Sequence, residues 1–122
     1  MARKKRILLF EEFESIRNIL VKTLEKKDAE TIIVSSFNDA KKQLNGTGFS
    51  MAIIDFDNKN HQSLELIKYM RETSSYIFTP IILLITGNKE QFTDRLSGYN
   101  IACYLTKPFD MALFNSVTDR FK

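Results

Sequence analysis

With 122 residues the chain is long enough to bury an ordinary hydrophobic core, and we expect a single domain over residues 1–122. The net charge is only +3, and no aromatic residues interleave the basic run at residues 3–6, which argues against a nucleic-acid-binding module. The longest apolar run, residues 81–85, is far too short to span a bilayer, and no signal-peptide pattern precedes the first predicted strand, so we expect a cytoplasmic protein.

Strand and helix patterns alternate through the first half of the chain. Apolar or β-branched runs predict three strands, at residues 7–10, 31–34 and 51–54. Apolar residues at helical spacing predict a first helix, through Ile16, Ile19, Leu20 and Leu24. Capping residues at 36–39 and the pair Asn45-Gly46 bracket a short second helix at residues 40–44.

The alternation continues through the second half. Leu64, Ile67 and Met70 mark a third helix, and the weaker spacing of Phe92 and Leu96 predicts a shorter fourth one that ends near Gly98. Two more strands are predicted at residues 81–85 and 101–105. A last helix is striped by Leu113, Phe114, Val117 and Phe121. Five strands and five helices in strict alternation predict a doubly wound α/β sandwich.

Charged residues follow three of the predicted strands. Glu11 and Glu12 come after the first strand, Asp55 and Asp57 end the third, and Lys107 ends the fifth. Because a parallel sheet gathers the carboxyl ends of its strands at one edge, we expect these side chains to meet there. Carboxylates with one ammonium would form a cation site beside a potential aspartyl nucleophile. The bond between Lys107 and Pro108 is a candidate cis peptide.

Over essentially its whole length the chain resembles the receiver domain of two-component response regulators. The resemblance is carried by residues 7–13 (ILLFEEF), 51–55 (MAIID), 64–66 (LEL), 80–86 (PIILLIT) and 104–109 (YLTKPF). It implies a flavodoxin-like (βα)5 fold whose parallel sheet has the strand order 2-1-3-4-5.

The resemblance also implies a chemistry. Asp55 would accept a phosphoryl group from a histidine kinase or a phosphotransfer protein. Glu11, Glu12, Asp55 and Asp57, the last through its backbone carbonyl, would hold Mg²⁺. Such a domain is not an enzyme beyond its own phosphorylation and autodephosphorylation.

Further roles implied by the resemblance lie on the fourth and fifth strands. Lys107 would pair with the phosphoryl oxygens, and the hydroxyl of Thr86 would donate a hydrogen bond to them. Tyr104 matches the family's switch aromatic, although a half-buried core tyrosine is the simpler interpretation. The switched surface, formed by helix 4, strand 5 and helix 5, would bind a downstream protein or effector domain. Neither nucleic acid nor a membrane is an expected partner of this domain.

Three features depart from the receiver pattern. Both residues of the acidic pair, Glu11 and Glu12, are glutamates, and the loop after Asp55 lacks the usual Pro and Gly and carries the extra Asp57. The hydroxyl position on strand four is also ambiguous. Counting back from Lys107 reaches Ile85, whereas a shift of one residue reaches Thr86, and neighbouring strand residues face opposite sides.

These departures leave two other functions open. One is a degenerate pseudo-receiver, a protein-interaction module that works without phosphorylation. The other is a phosphohydrolase of the haloacid-dehalogenase type, because Asp55-Phe56-Asp57 has the form of its DxD motif. That motif normally ends the first strand of its domain and here ends the third, so the enzyme is the less favoured hypothesis.

Overall fold

The structure is a computed structural model that describes residues 5–46, 48–56 and 61–121. Five parallel strands form one sheet in the order β2-β1-β3-β4-β5. Their bounds are β1 Lys5–Phe10, β2 Ala29–Val34, β3 Met51–Phe56, β4 Ile81–Thr86 and β5 Cys103–Lys107. The predicted doubly wound fold and its strand order are confirmed.

Helices follow each of the strands. Their bounds are α1 Glu14–Glu25, α2 Phe37–Leu44, α3 His61–Glu72, α4 Glu90–Thr93 and α5 Met111–Phe121, with 3-10 turns at Ser74–Tyr76 and Ser97–Tyr99. Helix α2 starts where its capping residues predicted, because the Ser36 hydroxyl accepts a hydrogen bond from the Asp39 amide at 3.1 Å. Within the described ranges, no helix is long and apolar enough to cross a membrane.

Several element bounds differ from the sequence expectation: β1 and β2 begin two residues earlier and β3 ends two residues later, while β5 and α4 differ in other ways. Strand β5 begins at Cys103 and continues to Lys107, two residues later than predicted at each end. The polar residues Thr106 and Lys107 stay in the sheet because they pair with the last two residues of β4. Helix α4 is a single turn, and the apolar Leu96 is buried beyond its end, just before the 3-10 turn. The apolar spacing of Phe92 and Leu96 therefore identified two buried residues, but these residues do not belong to one continuous helix.

The sheet separates two hydrophobic cores. Alternate residues of β1, such as Leu8 and Phe10, pack against α2, α3 and α4, whereas Ile7 and Leu9 pack against α1 and α5. Strand β3 is buried along its whole length. Such complete burial fixes the register of the central strands, which determines where the residues at the sheet's carboxyl edge lie.

Candidate functional site

Lys107 joins the two carboxylates that the sequence placed at the ends of β1 and β3. Its Nζ lies 2.7 Å from Glu11 Oε1 and 3.2 Å from Asp55 Oδ1. The Glu11 side chain is fully buried, and the Lys107 and Asp55 side chains are each only 10% exposed. The structure therefore brings these three residues together at one edge of the sheet, as the sequence predicted. A buried ammonium between two carboxylates is strongly shielded from solvent.

Both carboxylate oxygens of Glu11 have partners within the chain. Oε1 faces Lys107, and Oε2 accepts a hydrogen bond from the Phe13 backbone amide at 3.1 Å. The contact with Lys107 is an ion pair that lacks the directed angles of a hydrogen bond. Glu11 therefore turns inward onto the lysine.

Asp55 is held in a setting that opposes its ionisation. Burial and the neighbouring charge of Glu11 raise its pKa to about 6, and Lys107 only partly offsets them. The carboxyl group is therefore mostly ionised at neutral pH but gains a proton under mildly acidic conditions. A carboxylate that remains ionised beside a cation is suited to act as a nucleophile.

Strand alternation separates the two candidates for the strand-four hydroxyl position. Ile85 is fully buried in the core beneath α3 and α4. Thr86 is exposed at the end of β4 and pairs in register with Lys107. It shares a strand face with Leu84, the register partner of Asp55. Thr86 is thus the hydroxyl on the same side as the aspartate, and its assigned role stays a prediction.

The two other predicted metal ligands are less defined. Glu12 is exposed and lines, with Glu11 and Arg17, a cavity of about 250 Å³ next to the site. Asp57 lies outside the described residues. Within the described part of the chain, no group of three His, Cys, Asp or Glu is arranged to hold a metal ion. The available donors are carboxylate oxygens, which are the ligands that Mg²⁺ prefers, so the chemistry of the donor set fits this ion.

Three further residues shape the site without having been predicted to do so. The buried Ser63 donates a hydrogen bond from its hydroxyl to the Asp55 carbonyl at 2.6 Å, which ties the first turn of α3 to β3. The exposed ring of Phe13 has its centre 5.2 Å from Lys107 Nζ. Arg17 donates to the Glu11 carbonyl at 3.4 Å. Of these three residues, only Phe13 could have been noticed in the sequence, because it is an apolar residue outside the predicted strands.

The remaining sequence expectations concern the neighbourhood of β5. The Lys107–Pro108 peptide is cis, as expected. Tyr104 is partly buried against the α2/α3 side of the sheet and pairs in register with Leu83, and burial raises the pKa of its hydroxyl. His61, the only histidine of the sequence, is exposed at the first turn of α3.

Comparisons with known proteins agree with this fold. The phosphate regulon transcriptional regulatory protein PhoB of Escherichia coli is 25% identical over 107 residues, covering 86% of this chain and 46% of PhoB. The chemotaxis protein CheY4 of Vibrio cholerae is 23% identical with a TM-score of 0.87, covering 98% and 99% of the two chains. A response regulator receiver protein from Pseudomonas putida is 16% identical with a TM-score of 0.84 over 98% and 99% of the two chains.

The chain has the fold of response-regulator receiver domains, and its sequence is similar to that of a response regulator over 107 residues. No family model matches it. The chain spans less than half the length of the curated relatives it matches. Its sheet order and its helices match those of the chemotaxis neighbours. At 23% sequence identity this similarity is evidence for a shared fold and for nothing further.

Proposed function

We propose that this receiver domain takes a phosphoryl group from a histidine kinase or a phosphotransfer protein onto Asp55. The observation that carries the proposal is the position of Lys107 Nζ, within 3.2 Å of Asp55 Oδ1 at the carboxyl edge of the sheet. An ammonium next to the acceptor carboxylate can neutralise the charge of an incoming phosphoryl group. A cytoplasmic location remains our expectation for this reaction.

The transfer is a displacement at phosphorus. A carboxylate oxygen of Asp55 forms a bond to phosphorus while the phosphorus–nitrogen bond of the donor phosphohistidine breaks, and the electron pair of that bond returns to the imidazole. Lys107 turns from Glu11 toward the phosphoryl oxygens, and the Thr86 hydroxyl donates to one of them.

The acidic side chains supply the metal site in this proposal. Glu11, Glu12 and Asp55, with the backbone of Asp57, are the oxygen donors for Mg²⁺. The bound ion contributes charge neutralisation of the phosphoryl group. Lys107 would compete with the metal ion for Glu11, because both carboxylate oxygens of Glu11 already have partners within the chain.

The added charge on Asp55 is the signal that a downstream protein or effector domain reads. A phosphoryl group introduces negative charge and three acceptor oxygens at the ends of β3 and β4, which can bias a two-state surface. We assign that surface to α4, β5 and α5, with Tyr104 as its mobile aromatic residue. A one-turn α4 leaves β5 and α5 as the larger part of it.

Acetyl phosphate with Mg²⁺ tests the proposal directly. We expect intact-mass spectrometry to detect one added phosphoryl group on the wild type and none on Asp55→Asn. Asp94→Asn, which alters an exposed aspartate outside the site, is the matched control and should be phosphorylated like the wild type.

A phosphorylation-independent interaction module is the second candidate, and the inward pairing of Glu11 with Lys107 favours it. A folded wild-type protein that gains no phosphoryl group from any donor would support this pseudo-receiver. Sustained hydrolysis of a simple phosphomonoester that requires Asp57 would instead support the DxD-type phosphohydrolase.

A further inference from the structure

A second cavity lies at the opposite end of the sheet from Asp55. Its volume is about 600 Å³, and it opens between the start of β1, the loop before β3 and the 3-10 turn after α3. Volumes of this size are typical of small-molecule sites. Its lining includes Arg6, Asn45, Gly48, Phe49 and Ser75.

Arg6 is one of two cations among the described residues that line this cavity, the other being Lys5. The carbon of its guanidinium lies 4.7 Å above the centre of the Phe49 ring, a cation–π contact that holds the group in place. Its backbone is fixed as well, because the Arg6 carbonyl accepts hydrogen bonds from the amide and the hydroxyl of Ser50, at 2.9 and 3.2 Å. The guanidinium is therefore positioned before any ligand arrives.

The chain provides no anion for this guanidinium within the described ranges. Arg6 forms no ion pair with a described residue, and its buried Nε has no hydrogen-bond acceptor. No Asp or Glu is among the residues that line the cavity. A partly buried cation without a counter-charge favours an anion from outside the chain.

We propose that this cavity binds a small organic oxyanion, such as a phosphate ester or a carboxylate, through Arg6. The planar fork of a guanidinium matches two oxygens of either group, which explains why an oxyanion suits it better than a halide. The cavity is larger than a lone phosphate needs, so the ligand carries an organic part. This site is separate from the phosphoacceptor residues and does not depend on the proposed function.

Residue-resolved NMR on the full ¹⁵N-labelled chain tests the proposal. Titration with millimolar glycerol phosphate or succinate, at constant ionic strength, should shift the amide signals of Arg6, Gly48, Phe49 and Ser75. Glycerol is the uncharged control and should shift none of them. Separate shifts at Asp55 and Lys107 would report binding at the other edge of the sheet and do not count toward this site.

Two variants and one control identify the residues responsible. Arg6→Gln should raise the dissociation constant roughly tenfold or more, because it removes the charge-assisted hydrogen bonds. Lys22→Gln, which alters an exposed lysine of α1 that does not line the cavity, should leave the dissociation constant unchanged. Gly48→Leu should weaken binding by filling the cavity, and no heavy atom lies within 4 Å of an added Cβ there.

The outcomes separate cleanly. If Arg6→Gln fails to fold, the comparison of Gly48→Leu with the wild type decides. The proposal is overturned if neither anion shifts the cavity signals of the wild type. It is also overturned if Arg6→Gln and Gly48→Leu fold and show the same shifts as the wild type.

Discussion

At the scale of single residues, the ion pair between Glu11 and Lys107 determines how the site can bind a cation. A magnesium ion that uses Glu11 competes with Lys107, whose Nζ lies 2.7 Å from Glu11 Oε1 in a buried ion pair. An aspartate in this place is one methylene shorter and cannot hold Lys107 and the Phe13 amide in the same way. We therefore expect Mg²⁺ to raise the melting temperature of Glu11→Asp more than that of the wild type.

Differential scanning fluorimetry with and without Mg²⁺ measures this effect, with Ca²⁺ as a second divalent ion. Glu12→Asp, which shortens the exposed neighbour, is the matched control and should respond like the wild type. Equal responses of Glu11→Asp and the wild type would show that the ion pair does not compete with the metal.

The raised pKa of Asp55 makes a second prediction at this scale. The folded state keeps the proton of Asp55 up to a pKa of about 6, whereas the unfolded chain loses it near the ordinary aspartate pKa of 3.8. The ionisation of Asp55 therefore does not lower the free energy of unfolding below pH 3.8. It lowers this free energy progressively as the pH rises toward 6, and by its full amount above that.

Asp55→Asn removes this cost while Lys107 keeps Glu11 as its partner. We expect the free energy of unfolding of Asp55→Asn at pH 7 to exceed that of the wild type by about 1 to 3 kcal/mol. Urea unfolding in EDTA, followed from about pH 4 to 8, measures the difference, which should shrink as the pH falls. A difference independent of pH would contradict the assigned ionisation.

At the scale of elements, Arg71 links α3 to the loops that precede β4 and β5. Its guanidinium donates to the carbonyls of Tyr76, Thr79, Tyr99 and Asn100 at 2.7 to 3.2 Å. Burial lowers its pKa, which means that the charge is kept at some cost for these contacts. Removing the donors leaves several carbonyls without their partner.

We expect Arg71→Ala to lower the free energy of unfolding by about 2 to 4 kcal/mol. Arg71→Lys should lose less, since an ammonium can satisfy some of the carbonyls but not with the geometry of a guanidinium. Lys68→Ala, an exposed basic residue of the same helix, should change stability by less than about 0.5 kcal/mol. Chemical denaturation compares the three, and equal losses for Arg71→Ala and Lys68→Ala would rule out the linking role.

The elements themselves were largely predictable because burial imposes a period on the sequence. Continuous apolar runs marked all five strands, and the cap at Ser36 marked the start of α2. Helix α4 was less predictable, because Phe92 and Leu96 are buried without belonging to one continuous helix. Tertiary packing can bury apolar residues in a turn as well as in a helix.

At the scale of the whole molecule, topology alone brings Glu11, Asp55 and Lys107 together. Parallel strands place their carboxyl ends at one edge, so charged residues at three strand ends predicted a shared site. The inward turn of Glu11 and the hydrogen bond from Ser63 to the Asp55 carbonyl were not predictable. They depend on side-chain rotamers and on how α3 packs against β3, which no sequence pattern encodes.

The central claim is that Asp55 accepts a phosphoryl group beside Lys107. A crystal structure of the protein with Mg²⁺ and beryllofluoride, a mimic of the phosphoryl group, tests it most directly. We expect beryllofluoride bonded to Asp55, with Lys107 Nζ moved from Glu11 to a fluoride and the Thr86 hydroxyl turned toward another. A folded protein with bare Asp55 and with Lys107 still on Glu11 would contradict the claim.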